Sequence, residues 1–113
     1  MFTDEYLGRM RLELRRGMVI IAVLLQLRTE HYGYALRQAL EARGLDIDEG
    51  TLYPLIRRLE FQGLLTSEWR EEDRRNKRFY AISTEGRAAL KQLLTEWDAL
   101  ETSINSLRSG KAS

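Results

Sequence analysis

The order of periodicities along this chain predicts a mainly α fold with a small β-hairpin. Apolar residues recur every three or four positions in four separate stretches, which is helical spacing. Between the third and fourth, around residues 65–82, aromatic and β-branched residues alternate roughly with polar ones on either side of a charged loop, the pattern of paired strands. The second and third helical stretches are short and joined only by Leu45-Asp46-Ile47-Asp48, which makes them a helix-turn-helix. A hairpin directly behind such a unit is a wing. The expected architecture is therefore a winged helix-turn-helix plus a C-terminal dimerisation helix. Residues 1–83 form the former with an N-terminal helix, and residues 84–113 the latter with a frayed tail.

The first helix is expected from about Asp4 to Arg28, with Leu7, Met10, Leu14, Met18, Ile21 and Leu25 on one face. Its first half is otherwise charged (Arg9, Arg11, Glu13, Arg15, Arg16), so a single apolar stripe needs something to lie against, and a second subunit suits it. After Met18 nearly every position is apolar. The run Met18–Leu27 is ten residues long and contains Gln26, far short of the roughly 20 a membrane-spanning helix needs. It reads as a buried core segment. A signal peptide is not expected either, because a charged amphipathic segment precedes the run and no small-residue cleavage site follows.

The second helix, Tyr34 to Arg43, carries Leu36, Ala39 and Leu40 and stops at Gly44. The third lies between Asp48, whose carboxylate can accept from an orphan amide, and Gly63, which can turn left-handed. Pro54 lacks an amide donor, so regular helix is expected to begin near Gly50 or Thr51, with the proline in the first turn. Leu52, Leu55, Ile56 and Leu59 share one side; Tyr53, Pro54 and Arg57 face the other, with Arg58 at its flank. A phenol beside two guanidiniums suits phosphate and base-edge contacts in a DNA groove. The same residues also fit a plain surface helix with solvated arginines, or with Arg57 paired to Glu60.

The hairpin is expected from strands Leu65–Arg70 and Arg78–Ile82, its loop carrying Glu71, Glu72 and Asp73 and then Arg74, Arg75 and Lys77. Ser83 should cap the last helix, with Glu85 in its first turn. There Leu90, Leu93, Trp97, Leu100, Ile104 and Leu107 are separated alternately by three and four residues, an a/d seam that wants a partner helix. A homodimer supplies one. The tail from Ser109 has almost no apolar content and should fray.

Composition narrows the function. The net charge is +1, so any affinity for nucleic acid must come from where the basic residues cluster. Without cysteine there is no disulfide, thiolate metal site or thiol nucleophile. The lone histidine, His31, sits in a turn and is expected to be solvated or locally bonded, since one histidine does not make a metal site. No glycine-rich phosphate loop or nucleophile with a positioned base is present, so neither catalysis nor a cofactor is expected.

The run Gly50–Leu65, followed by Arg78–Ser83 and Gly86 and preceded by Tyr32-Gly33, resembles the PadR family of bacterial transcriptional regulators over nearly the whole chain. A single C-terminal helix is similar to the smaller subgroup of that family. The resemblance implies a cytoplasmic homodimeric repressor. Its recognition helix would enter the major groove of double-stranded DNA through Thr51, Tyr53, Pro54, Arg57 and Arg58, and its wing would touch the backbone or minor groove through Arg74, Arg75 and Lys77. Trp97 lies eleven residues after Gly86. Multidrug-responsive members carry a tryptophan near that spacing, lining an apolar channel at the dimer interface; this implies a planar aromatic ligand on Trp97, with Leu14 and Met18 facing the same channel. The chain departs from the family pattern at Phe61, where a polar residue is usual, and in the acidic triplet Glu71-Glu72-Asp73. A second reading remains open, in which a dimeric winged helix uses its outward helix and Phe61 to bind another protein. Salt separates the two, because contacts to several phosphates weaken steeply as salt rises.

Overall fold

The computed structural model describes residues 3–110, in the order α1 (Asp4–Gln26), β1 (His31–Tyr32), α2 (Gly33–Glu41), α3 (Glu49–Phe61), β2 (Leu65–Glu72), β3 (Arg75–Ile82) and α4 (Thr84–Arg108). Each expected helix forms within one or two residues of its expected start and end. Thr3 caps α1 by accepting from the Tyr6 amide at 3.0 Å. Gly44 and Gly63, at φ +87° and +85°, turn the chain out of α2 and α3 as a left-handed glycine does. Most of the expected frayed tail, residues 111–113, lies outside the described residues; Ser109 and Gly110 form a turn.

Three features differ from expectation. The sheet has a third strand: β1 pairs antiparallel with β3 through His31↔Tyr80 and Tyr32↔Phe79, giving the order β1-β3-β2. Two residues are too few to show a period, so the alternation test could not find this strand. The hairpin strands run longer, to Glu72 and from Arg75, with a turn of only Asp73 and Arg74. Finally, α3 begins at Glu49, placing Pro54 inside the helix rather than in its first turn. Its missing donor releases the Gly50 carbonyl, but Gly50 and Pro54 are both exposed, so water can take up that carbonyl and the helix continues.

The core lies where three helices meet the sheet. Val23, Leu24 and Leu27 of α1 pack with Leu36 and Leu40 of α2, with Leu52, Leu55, Ile56 and Leu59 of α3, and with Leu65, Tyr80 and Ile82 of the sheet. Each leucine taken fully out of water contributes about 2–3 kcal/mol. The Ile82 amide donates to the Leu27 carbonyl at 2.8 Å, tying the sheet to the end of α1.

The ends of α3 and α4 meet at one tight junction. The Ser83 hydroxyl donates to the Gly63 carbonyl at 2.6 Å and accepts from the Gly86 amide at 2.9 Å, while the Ser83 amide donates to the Leu64 carbonyl at 3.0 Å. A Cβ on Gly86 would lie 2.1 Å from that Leu64 oxygen, so only glycine permits the approach. This junction also corrects the seam. Because the first turns of α4 lie against the domain, Leu90 is 6 % exposed and belongs to the chain's own core rather than to a dimer face. From Leu93 onward the seam is exposed, as are Leu7, Met10 and Leu14 on α1. The radius of gyration is 16.9 Å, against about 13 Å for a compact chain of this length. Long amphipathic arms, the first half of α1 and the second half of α4, extending beyond a small core explain the difference.

Candidate nucleic-acid interface

The outward side of α3 follows from its inward side. With Leu52, Leu55, Ile56 and Leu59 buried, the wheel leaves Gly50, Pro54, Arg57 and Phe61 in one line, with Thr51 and Arg58 on its flank; all six are exposed. Arg57 and Arg58 have no ion-pair partner among the described residues. The Arg57–Glu60 pair of the plain surface-helix alternative does not form, because Glu60 accepts instead from Arg78 at 3.0 and 3.2 Å and from the Ser67 hydroxyl.

Tyr53 is half-buried. Its ring lies over Gly33 at the start of α2, where a Cβ would come within 3.1 Å of the ring. Burial, and secondarily Glu49, raise the phenol's pKa, with Arg37 acting against them, so the hydroxyl keeps its proton and remains a donor at neutral pH. The start of α3 is held differently from expectation. The Asp48 carboxylate takes no amide but accepts from the Thr51 hydroxyl at 2.8 Å, and the Thr51 and Leu52 amides both donate to the Asp48 carbonyl. Arg37 of α2, which sequence reasoning missed, locks the turn: it donates to the Ile47 carbonyl at 3.1 Å and pairs with Glu49 at 3.3 Å. An arginine on an amphipathic helix gives no local sign that it will reach ten residues on.

The loop expected to carry Arg74, Arg75 and Lys77 shrinks to a two-residue turn, so of these three cations only Arg74 lies off the strands. Asp73 and Arg74 form a two-residue turn with φ +53° and +65°, the left-handed pair that a tight hairpin needs. Arg74 therefore stands at the tip and Arg75 at the first position of β3, opposite Glu72. Lys77 is not a loop residue: its side chain is 20 % exposed, pairs with Glu72 at 3.4 Å and lies 4.2 Å from the centre of the Tyr32 ring. Arg70 is clamped by Glu30 and Glu68 over Phe79, and those hydrogen bonds, Glu30 first, raise its pKa further. Arg78 donates to Ser67 and Glu60, which fixes the wing to α3. Only Arg74 and Arg75 of the hairpin cations lack an ion-pair partner among the described residues. A cleft of about 500 Å³ between α1 and α3 brings Arg15 and Arg16 to the same lining as Arg58, together with Asp46 and Asp48, a mixed-charge margin that sequence reasoning did not find.

Residues 20–92 match a family model described as the transcriptional regulator PadR-like family. The chain belongs to the PadR-like family. A solved PadR-family transcriptional regulator from Eggerthella lenta is similar at 42% identity with TM-score 0.85, covering 92% of this chain and 93% of that one. A solved transcriptional regulator from Clostridium thermocellum is 30% identical with TM-score 0.76, covering 83% and 96%. The transcriptional regulator Rv3488 of Mycobacterium tuberculosis is 48% identical over 61 residues, which span 54% of this chain and 57% of that protein. Transcriptional regulation is the role that the family's description names.

The remaining expected site residues lie on the arms. Trp97, Leu93, Leu100, Ile104 and Leu107 are exposed along α4, and Leu14 on α1 is 81 % exposed, whereas Met18 is partly buried against the core. His31 is locally bonded, its Nδ1 donating to the Thr29 carbonyl at 2.8 Å. Among the described residues no helix is long and apolar enough to cross a membrane.

Proposed function

We propose that this chain is a cytoplasmic homodimeric repressor that binds double-stranded DNA through α3 and the hairpin tip and is released by a planar aromatic ligand at the dimer interface. The observation that carries the DNA contact is the pair Arg57 and Arg58, exposed and without ion-pair partners among the described residues, on the outward side of a helix whose opposite face is buried. Thr51, Tyr53 and Pro54 border them, and Arg74 and Arg75 extend the contact to the backbone. The exposed stripes of α1 and α4 support the homodimer: two apolar faces of about 35 Å helices in one small domain are covered when each meets its counterpart. Two copies then present α3 to successive major grooves, about one helical turn of DNA apart. Trp97 on the same seam supports a flat aromatic ligand stacked between copies.

A gel shift with the DNA upstream of its own gene, across a salt series and with a planar aromatic cation added, tests the whole reading. Binding that falls steeply with salt and is lost on adding the dye, with Trp97→Ala insensitive to it, is expected. Absence of any shift at low salt overturns the DNA contact. A second reading, a protein-interaction module centred on Phe61, draws on the 92 % exposure of that ring; it predicts binding to a protein partner that changes little with salt.

A further inference from the structure

We propose that Phe61 reads the methyl group of a thymine in the major groove, making thymine preferred at one fixed position of each half-site. This rests on the DNA-binding reading of α3. Phe61 is 92 % exposed and falls on the outward line Gly50, Pro54, Arg57, Phe61, one turn beyond Arg57. The acidic neighbour that would repel phosphate there, Glu60, is turned inward and taken up by Ser67 and Arg78. What remains on the outer side of the helix is an apolar ring next to two guanidiniums without carboxylate partners among the described residues, a surface complementary to a polyanion. The ring has no donor or acceptor, so it can recognise only an apolar feature of a base edge. In the major groove that feature is the thymine methyl. Arg57 and Phe61 are four residues apart, about 6 Å along the helix axis, and base pairs rise about 3.4 Å. The thymine should therefore lie within about two base pairs of the pair read by Arg57.

The test selects duplexes from a random library with the wild-type protein, then replaces each thymine in turn with deoxyuridine, which removes the methyl and keeps the pairing. Wild type should lose about fourfold in affinity per half-site at one thymine, the value of one buried methyl. Phe61→Ala should bind the thymine duplex about fourfold more weakly per half-site and no longer distinguish the two duplexes, with its melting temperature unchanged. Equal binding of both duplexes by wild type and Phe61→Ala, while Arg57→Ala loses binding, overturns the role of Phe61 and leaves the DNA contact standing; that is the result expected if the ring serves a protein partner. If no duplex is selected, or Arg57→Ala binds as wild type does, the DNA reading fails and this proposal with it.

Discussion

The outer face of α3 and the hairpin are both rich in arginine, yet they hold it in opposite ways. On α3 the acidic residue next in sequence to the arginines, Glu60, is taken up by the wing, and Arg57 and Arg58 have no ion-pair partner among the described residues. In the hairpin, Arg70, Lys77 and Arg78 each take a carboxylate and lie against an aromatic ring, so they act as fasteners of the sheet. Only the tip, Arg74 and Arg75, behaves like α3. A cation's availability thus depends on which carboxylates the fold brings to it, not on how many cations a segment contains. Exposed pairs contribute little stability singly, but a network joining α3, β2 and β3 fixes the wing's angle to the helix.

The two regions share the Gly63–Ser83–Gly86 junction, and breaking it should have the largest effect. Gly86→Ala sets a methyl against a backbone oxygen, so despite the better helix propensity of alanine it should cost about 3 kcal/mol, read as a lowered denaturant midpoint. Arg57→Ala probes the unpaired side: DNA affinity should fall about tenfold or more per half-site, while thermal melting and sedimentation stay as in wild type. A coincident drop in melting temperature would mean that Arg57 is structural after all. Glu60→Ala probes the paired side and should lower stability by about 1 kcal/mol, or a few degrees of melting temperature, as the wing loses its tether. Arg74→Gly should separate the two roles at the tip. It relieves a left-handed non-glycine position, raising stability by up to about 1 kcal/mol, and removes a cation, lowering the slope of log affinity against log salt by about one. The smallest effect is expected of Lys77→Ala, which should leave that slope unchanged where Arg75→Ala reduces it; equal reductions would show that Lys77 leaves Glu72 to meet DNA.

Much of this was legible in the chain, and the reason is locality. The inward set Leu52, Leu55, Ile56 and Leu59 follows from spacing alone, as do the Ser83 cap and the glycine stop at Gly63, because caps and amphipathic faces are decided within a few residues. Errors arose where local signals compete with distant ones. Leu90 satisfies a heptad as well as Leu93 does, but the junction at Gly86 presses the first turns of α4 onto the core and leaves the seam free only afterwards. Lys77 lies in a charged stretch that reads as loop, and the two-residue turn draws it into β3.

What the sequence by itself determined is the set of elements, the inward face of each helix and the basic character of α3 and the hairpin tip, since these follow from period, capping and residue chemistry along a short length of chain. Only the tertiary structure decided which cations are available. Arg70 meets Glu30 across 40 residues and Arg78 meets Glu60 across 18. Such pairings exist only once the sheet has brought β1, β2, β3 and the end of α3 together, because charge pairing depends on separation in space and not on separation along the chain.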